Sequence, residues 1–277
     1  MSRLMLGLAT TELMKMPGTD LQFLIQLLLQ YMVASLRIGA FLLSAPIFGA
    51  RWLPLQVRII MGFAIGATVG AQMPAIDVDL LTSSVGVMIM FTEVAIGLAA
   101  GVTLTIWFAA ILLAGEKIAS TAGLGYAAQI DPSTGGQTPV VSQILYLFLL
   151  VVFLSVDGHL LAIGTIMESY RILPIGAPIA PGILIEAGIA AAGSMFLAGT
   201  IIMLPIAMIL LLINMTIGII TRSAPQLNLF SFGFPISLLV VFIVLFFSAA
   251  AIGASAESLI ESALTAMQTL IGGLAYG

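Results

Sequence analysis

The chain has 277 residues, of which 61% are hydrophobic and 7% are charged, and its mean hydropathy is +1.23. Soluble domains carry about 25% charged residues, so this composition excludes an ordinary soluble domain, and the net charge of -4 leaves no basic surface for nucleic acid. The absence of cysteine and the single histidine exclude disulfides and iron–sulfur ligation, argue against a zinc site, and lead us to expect no metal and no cofactor.

Residues 1–20 are predicted to form a short N-terminal lead, amphipathic or disordered. An early arginine, Arg3, precedes a short apolar patch, but Glu12 and Lys15 interrupt that patch before any cleavage-site pattern. This arrangement is not typical of a secretory signal peptide. The connectors further along the chain are too short for a soluble domain, so residues 21–277 are predicted to form a single membrane domain.

Six apolar segments follow one another along the chain, joined by connectors rich in proline, glycine and acidic residues. They cover approximately residues 21–48, 58–73, 80–114, 140–156, 187–221 and 234–254. A membrane β-barrel would show short alternating segments instead of long unbroken apolar runs. The predicted fold class is therefore an all-α, polytopic membrane protein.

The last two apolar segments belong to stretches that contain no charged residue, 187–221 and 223–256, separated only by Arg222. As a helix, the first stretch would be roughly 50 Å long, whereas the hydrocarbon core of a bilayer is about 30 Å thick. Simple upright spans are therefore excluded, and these helices are expected to kink, tilt, re-enter the membrane or extend beyond the bilayer. Pro205, Pro225 and Pro235 mark positions where the helices are expected to break or begin.

Small residues recur at helix-packing spacing in two segments. Gly62, Gly66 and Gly70 form two overlapping GxxxG steps on one helical face, and Gly97 and Gly101 form another. Glycine lets two helix backbones approach closely in a membrane. These faces are interpreted as intramolecular packing surfaces, with an intersubunit seam as the alternative.

Two charged residues, Arg37 and Glu93, lie inside apolar segments. An intramembrane charge is costly unless it is paired or faces water. A proton or ion relay needs several titratable groups along one path, and the apolar segments offer almost none. Arg37 and Glu93 are therefore expected to be structural, each with an ionic partner, either each other or a group on another subunit.

The chain is not expected to be an enzyme. Asp131 and Asp157 could be compared with the carboxylate pair of an intramembrane aspartyl protease, but their contexts, QIDP and SVDGH, do not match a GxGD-type motif. His159 is the sole histidine and no GxSxG motif accompanies any serine. Asp157 and His159 are instead expected at a polar interfacial turn.

The connector over residues 116–139 is the most informative segment for function. It is long, rich in glycine and small polar residues, and lies between apolar helices. Its centre, AGLGYAAQIDP, is too apolar for an exposed linker. Non-helical backbone is tolerated at membrane depth only where protein buries it or where it lines a cavity. A re-entrant segment or a plug is therefore predicted.

The order of several sequence blocks identifies a resemblance. The block GLGYAAQIDPSTGGQTPVVSQ, followed by FLSVDGHLLAI, LPIG and ITRSAPQLNLFSFGFPISL, resembles the FliR family of flagellar export-gate proteins. The earlier blocks RIGAFLLSAPIFGARWLPLQVR and FTEVAIGLAAG fit the same family. The resemblance covers approximately residues 21–256 and extends to the T component of virulence-type type III secretion systems.

The resemblance implies a non-enzymatic channel component in the bacterial inner membrane, at the flagellar basal body. Residues 21–186 would be similar to a P-type subunit and residues 187–260 to a Q-type helical hairpin. The implied fold is a set of bent helical hairpins assembled with P- and Q-type subunits in a helical channel complex. The further implied partners are the export-switch B-type and A-type gate proteins and the exported unfolded proteins.

The resemblance also implies that a loop, here about residues 121–132, plugs the closed channel. The implied plug residues are Gly123, Gly125, Tyr126, Gln129, Asp131 and Pro132. Tyr126 stands where the family tends to place an aromatic residue, whereas Gln129 stands where a second bulky apolar group would be expected, so this plug would seal differently.

Two alternatives to a flagellar gate component are a virulence-type export component and, in a different class, a small-molecule secondary transporter. A transporter would show repeated halves with matching broken helices, and the sequence shows no such symmetry. The APQLN and GFP blocks favour the flagellar branch over the virulence branch.

Overall fold

The computed structural model describes residues 21–74, 76–123, 140–224 and 233–276. Helices account for nearly all of these residues, and no strand occurs among them. The helices are α1 (Leu21–Ser44), α2 (Leu55–Gly70), α3 (Val78–Thr82), α4 (Ser84–Thr121), α5 (Val140–Ser155), α6 (Gly158–Ile172), α7 (Pro181–Ser223) and α8 (Phe234–Tyr276). The all-α prediction is confirmed.

Four helices, α1, α4, α7 and α8, are long and apolar enough to cross a membrane. The pair α5 and α6, bent by 66°, could supply a fifth span. Helix α2 is apolar but has only 16 residues, fewer than the roughly 20 that a membrane span requires. The chain is therefore a polytopic membrane protein, as its composition predicts.

Some helix boundaries differ from those expected, because a change in polarity does not by itself end a helix. The segment 157–186 was expected to be a connector, yet it contains α6. Helix α8 continues past residue 254 through Glu257 and Glu261, which are exposed. Glutamate is a good helix former, so the carboxylates lie on the helix surface without interrupting the backbone.

Two prolines lie at helix starts, as local helix chemistry favours, whereas the expectation that Pro205 ends a helix was wrong. Pro181 is the first residue of α7, and Pro235 is the second residue of α8. Proline is tolerated in the first turn because the N–H groups there have no intrahelical acceptor. Pro205 lies inside α7, which continues on both sides of it. Pro225 lies outside the described residues.

The chain divides into two compact units. Of the described residues, the first unit contains those within 21–102, 164–181 and 271–276, and the second contains those within 103–163 and 182–270. Both units contain segments from before and after residue 186. Their boundaries therefore do not coincide with the predicted boundary between the P-like and Q-like parts. That predicted assignment stays a prediction.

Helix α1 is the centre of the first unit. Its residues Val33, Ala34, Ile38, Phe41 and Leu42 are fully buried. Apolar side chains around the start of α4 and residue 175 add to this core. These buried residues lie one, three or four positions apart, so they share one broad face of α1, which neighbouring elements cover.

The second unit is held together by α4, α5 and α7. The rings of Phe108 and Phe153 pack edge to face, with centroids 5.1 Å apart. A Cβ added at Gly115 would lie 2.5 Å from Ser142 Cα, and one added at Gly199 would lie 2.9 Å from the Ala110 carbonyl oxygen. Glycines thus bring α4 close to both α5 and α7.

Candidate functional site

The first candidate site is a buried ion pair in the first unit. Arg37 on α1 is fully buried and Glu93 on α4 is 1% exposed. Arg37 Nε donates to Glu93 Oε2 at 2.7 Å, and Arg37 Nη2 donates to Glu93 Oε1 at 2.9 Å. This two-point geometry is the strongest form of a carboxylate–guanidinium contact. The structure therefore gives both intramembrane charges a partner within the chain.

Helix α6 completes the surroundings of Arg37. Arg37 Nη1 donates to Ser169 Oγ at 2.9 Å, and Ser169 in turn donates to the Ile166 carbonyl oxygen at 2.6 Å. The Tyr170 ring lies 4.1 Å from Arg37 Cζ, and its hydroxyl donates to the Ala34 carbonyl oxygen at 2.6 Å. The guanidinium is thus matched by a carboxylate, a hydroxyl and an aromatic face.

The glycine faces place α1 between two close neighbours. A Cβ at Gly62 would lie 3.0 Å from Gly39 Cα, and a Cβ at Gly66 would lie 2.5 Å from Ser35 Cα. Gly70 continues the series, because a Cβ added there would lie 2.7 Å from the Tyr31 ring. The contacted α1 positions fall by four as the α2 positions rise by four, so the two helices are antiparallel.

On its other side, α1 meets α4 through Gly97 and Gly101. A Cβ at Gly97 would collide with the Arg37 carbonyl oxygen, and one at Gly101 would collide with Ser44 Oγ. Gly97 lies one helical turn after Glu93, so the close approach at Gly97 also brings the Glu93 carboxylate within reach of Arg37. The same contact between α1 and α4 therefore produces both the glycine packing face and the ion pair.

The second candidate site is the start of the connector in the second unit. Helix α4 ends at Thr121, and Gly123 has a φ of +86°. This left-handed conformation is typical of the residue that terminates a helix and is accessible to glycine without strain. Asn214 Nδ2, on α7, donates to the Thr121 carbonyl oxygen at 2.8 Å.

Ser237 of α8 joins the same contact. Its hydroxyl donates to Asn214 Oδ1 at 3.2 Å, and Ser237 is 4% exposed. The implied plug residues Gly125, Tyr126, Gln129, Asp131 and Pro132 lie outside the described residues. Gly123 is the one plug residue that the structure places, and it lies two residues after the Asn214 contact.

The predicted turn around Asp157 lies at the bend between α5 and α6. Asp157 has a φ of +54°, and its carbonyl oxygen accepts from the N–H groups of Leu160 and Leu161 at 2.9 and 3.0 Å. His159 Nδ1 is buried and has no hydrogen-bond partner. Asp131 lies outside the described residues, so the structure does not test whether its carboxylate lies near that of Asp157.

The rest of the described chain offers little chemistry. No group of three or more His, Asp or Glu side chains that could hold a metal ion occurs within it. A cleft of about 740 Å³ in the first unit has a mainly apolar lining that includes Glu168 and Arg171. These two form an exposed pair with an N–O distance of 3.0 Å, and such pairs contribute little free energy.

Sequence reasoning missed four of the side chains around these sites: Ser169, Tyr170, Asn214 and Ser237. All four side chains are uncharged, so they lack the signal that marks Arg37 and Glu93 within apolar segments. A weaker signal was available for Asn214, because it is an amide within an otherwise strongly apolar run. Amide side chains in membrane helices commonly form interhelical hydrogen bonds.

Comparisons with known proteins agree with this architecture. Residues 28–263 match the family described as Bacterial export proteins, family 1. The chain is 35% identical to the flagellar biosynthetic protein FliR of Pectobacterium carotovorum, with 76% of this chain and 80% of the relative covered. It is 34% identical to the protein of the same name from Escherichia coli, with 74% of this chain and 78% of the relative covered. It is 30% identical to the one from Bacillus subtilis, with 80% of this chain and 86% of the relative covered.

Proposed function

Because this chain belongs to the FliR family of bacterial export proteins, it is a membrane component of the flagellar type III export gate, and we propose that it contributes a plug loop that closes the channel. The observation that carries the function is the family match across residues 28–263. The apolar helices α4, α7 and α8 agree with a structural membrane role.

The proposed assembly is a hetero-oligomer in the inner membrane at the flagellar basal body. Its members are P- and Q-type subunits, with the B-type and A-type gate proteins as further partners. The role of this chain is structural and non-enzymatic, and the transported proteins are unfolded flagellar proteins. The length of α7, at 43 residues, supports burial against partners because it exceeds what a bilayer alone can cover.

The proposed plug is the segment of about residues 121–132. Its described start supports this proposal: α4 stops at Thr121, and Gly123 turns the chain out of the helix. The Asn214 amide holds the Thr121 carbonyl oxygen, so the loop leaves from a fixed point. In the proposed plug, Tyr126 fills the constriction, and Asp131 with Pro132 begins the next element.

Removal of the loop from the assembled complex tests this function. We expect that deleting residues 123–129 makes the complex conduct small ions, because the side chains that fill the closed channel are gone. The measurement is ion conductance of the complex in planar bilayers, at matched amounts and with assembly verified by size-exclusion chromatography. A second variant replaces the same residues with glycine and serine at constant length, which keeps the connection intact.

The two variants distinguish the loss of the side chains that fill the channel from the shortening of the loop. Conductance in both variants supports a plug made of side chains. Unchanged conductance in both, in complexes that are fully assembled, would overturn the plug while leaving the family membership in place.

A further inference from the structure

The last turn of α4 has a carbonyl group that its own helix does not satisfy. The final four carbonyl groups of any α-helix lack intrahelical donors. Here the Ile118 and Ser120 carbonyl oxygens accept from the N–H groups of Ala122 and Gly123, both at 3.0 Å. The Thr121 carbonyl oxygen instead accepts from the Asn214 side chain at 2.8 Å. A residue 93 positions away therefore completes the end of this helix.

Asn214 differs from its polar neighbours on α7. The hydroxyl groups of Thr200 and Thr216 donate to carbonyl oxygens of their own helix, those of Phe196 and Leu212. The Asn214 amide reaches two other helices, donating to Thr121 on α4 and accepting from Ser237 on α8. One side chain thus ties together α4, α7 and α8.

The surroundings make this contact consequential. Asn214 is half-buried and lies within the stretch 187–221, which has no charged residue, and its partner Ser237 is buried. Where little water is available, an unpaired carbonyl or amide is costly, so polar groups remain with their partners. The amide therefore adds a directional contact at the end of α4 to the helix packing at Gly199.

We propose that Asn214 is the positioning residue of the plug: its amide holds the point where the loop leaves α4 and so keeps the channel closed. This inference rests on the proposed plug function. Ser237 supports Asn214 by fixing the rotation of the amide, which leaves Nδ2 pointing at Thr121. Loss of the amide lets the start of the loop shift, and the fraction of open channels rises.

The main test variant is Asn214→Leu, which keeps the side-chain shape and removes both hydrogen bonds. A single hydrogen bond of ordinary net strength corresponds to a roughly three- to tenfold change in an equilibrium. We therefore expect the conductance of the assembled complex to rise roughly three- to tenfold. Asn214→Gln, which keeps the amide group, should restore part of the closure. Thr216→Ala is the matched control, because the Thr216 hydroxyl donates to the Leu212 carbonyl oxygen of its own helix.

A second readout reports local position independently of conductance. The chain contains no cysteine, and Ala122 is 3% exposed. Ala122→Cys therefore introduces a single buried thiol next to Thr121. We expect maleimide to label this thiol faster when Asn214→Leu is also present, and at the original rate when Thr216→Ala is present instead.

The outcomes distinguish this inference from the function on which it rests. Unchanged conductance and labelling in Asn214→Leu, alongside a conducting loop deletion, would overturn the role of Asn214 and leave the plug in place. A loop deletion that does not conduct would overturn both. If Asn214→Leu fails to assemble, Ser237→Ala gives the same test, because it frees the amide to rotate. Unchanged labelling of Ala122→Cys in that background would then overturn the inference.

Discussion

The Arg37–Glu93 contact makes each residue dependent on the other. Both side chains are buried and joined by two hydrogen bonds. Removing one member of a buried pair leaves an uncompensated charge, which costs about 3–5 kcal/mol, whereas replacing both with apolar side chains is often neutral or stabilising. The pair therefore behaves as a unit in mutagenesis.

We expect Arg37→Leu and Glu93→Leu each to reduce assembly of the complex strongly, and the double variant to recover it. The measurement is the yield of assembled complex after affinity purification, with ion conductance of the assembled fraction as a second readout. The double variant is the control for lost charge. A relay would give the opposite pattern, in which the single variants assemble normally and ion flux changes.

Residue-scale reasoning from the sequence could foresee that Arg37 and Glu93 needed partners, because charges in apolar segments are expensive. It could not foresee that Ser169 and Tyr170 would complete the site. These residues are 132 and 133 positions from Arg37 in sequence, and neither side chain carries a charge. Their contribution depends on where α6 packs, which no local pattern specifies.

At the scale of elements, glycine spacing on α2 determines how closely α1 can approach. The same helix pair offers a graded series. A Cβ at Gly66 would lie 2.5 Å from backbone, a Cβ at Gly62 would lie 3.0 Å from backbone, and a Cβ at Gly39 would meet nothing within 4 Å. Overpacking of a tight contact costs about 1–3 kcal/mol, and the cost should follow this order.

We expect Gly66→Ala to lower the thermal stability of the purified complex most and Gly62→Ala to lower it less. Gly39→Ala should leave stability unchanged or raise it slightly, because alanine favours helix over glycine by roughly 1 kcal/mol. Thermal unfolding of each complex in the same detergent, together with swimming motility of the cells, provides the measurement. Equal effects of all three variants would contradict a close α1–α2 contact.

Element boundaries show what hydropathy can and cannot predict. The segments at 140–156 and 187–221 correspond to α5 and α7 because their apolar character coincides with helix. Helix α6 and the second half of α8 were missed because they are more polar. A helix continues as long as its backbone groups are paired and no residue breaks it, so its length is set by turn residues such as Asp157 and not by hydropathy.

For the whole molecule, the apolar surface exceeds what the chain itself covers. In the most apolar segment of α4, 50% of the segment is buried within the chain. The corresponding buried share is only 22% in α7 and 17% in α8. Phe246 and Phe247 on α8 are 77% and 80% exposed. Lipid or protein must cover these surfaces, because soluble proteins rarely expose large contiguous apolar patches to water.

Lipid alone does not suffice for α7. Its charge-free stretch of residues 187–221 lies in one helix and is roughly 50 Å long, against a hydrocarbon core of about 30 Å. Fitting that length into the core requires a tilt of roughly 55°, beyond the range of about 0–40° found for membrane helices. Part of this surface therefore requires cover from protein, which we expect partner subunits to provide.

The chain expressed alone in detergent should accordingly be polydisperse and short-lived. Coexpression with P- and Q-type subunits should yield a complex that elutes as one sharp peak. Size-exclusion chromatography with light scattering, repeated over several days, measures both properties in the same detergent. The coexpressed complex is the control for detergent effects, because its helices differ only in being covered. A long-lived, monodisperse monomer would mean that α7 and α8 satisfy their apolar surfaces without partners, and the requirement for protein cover would then be wrong.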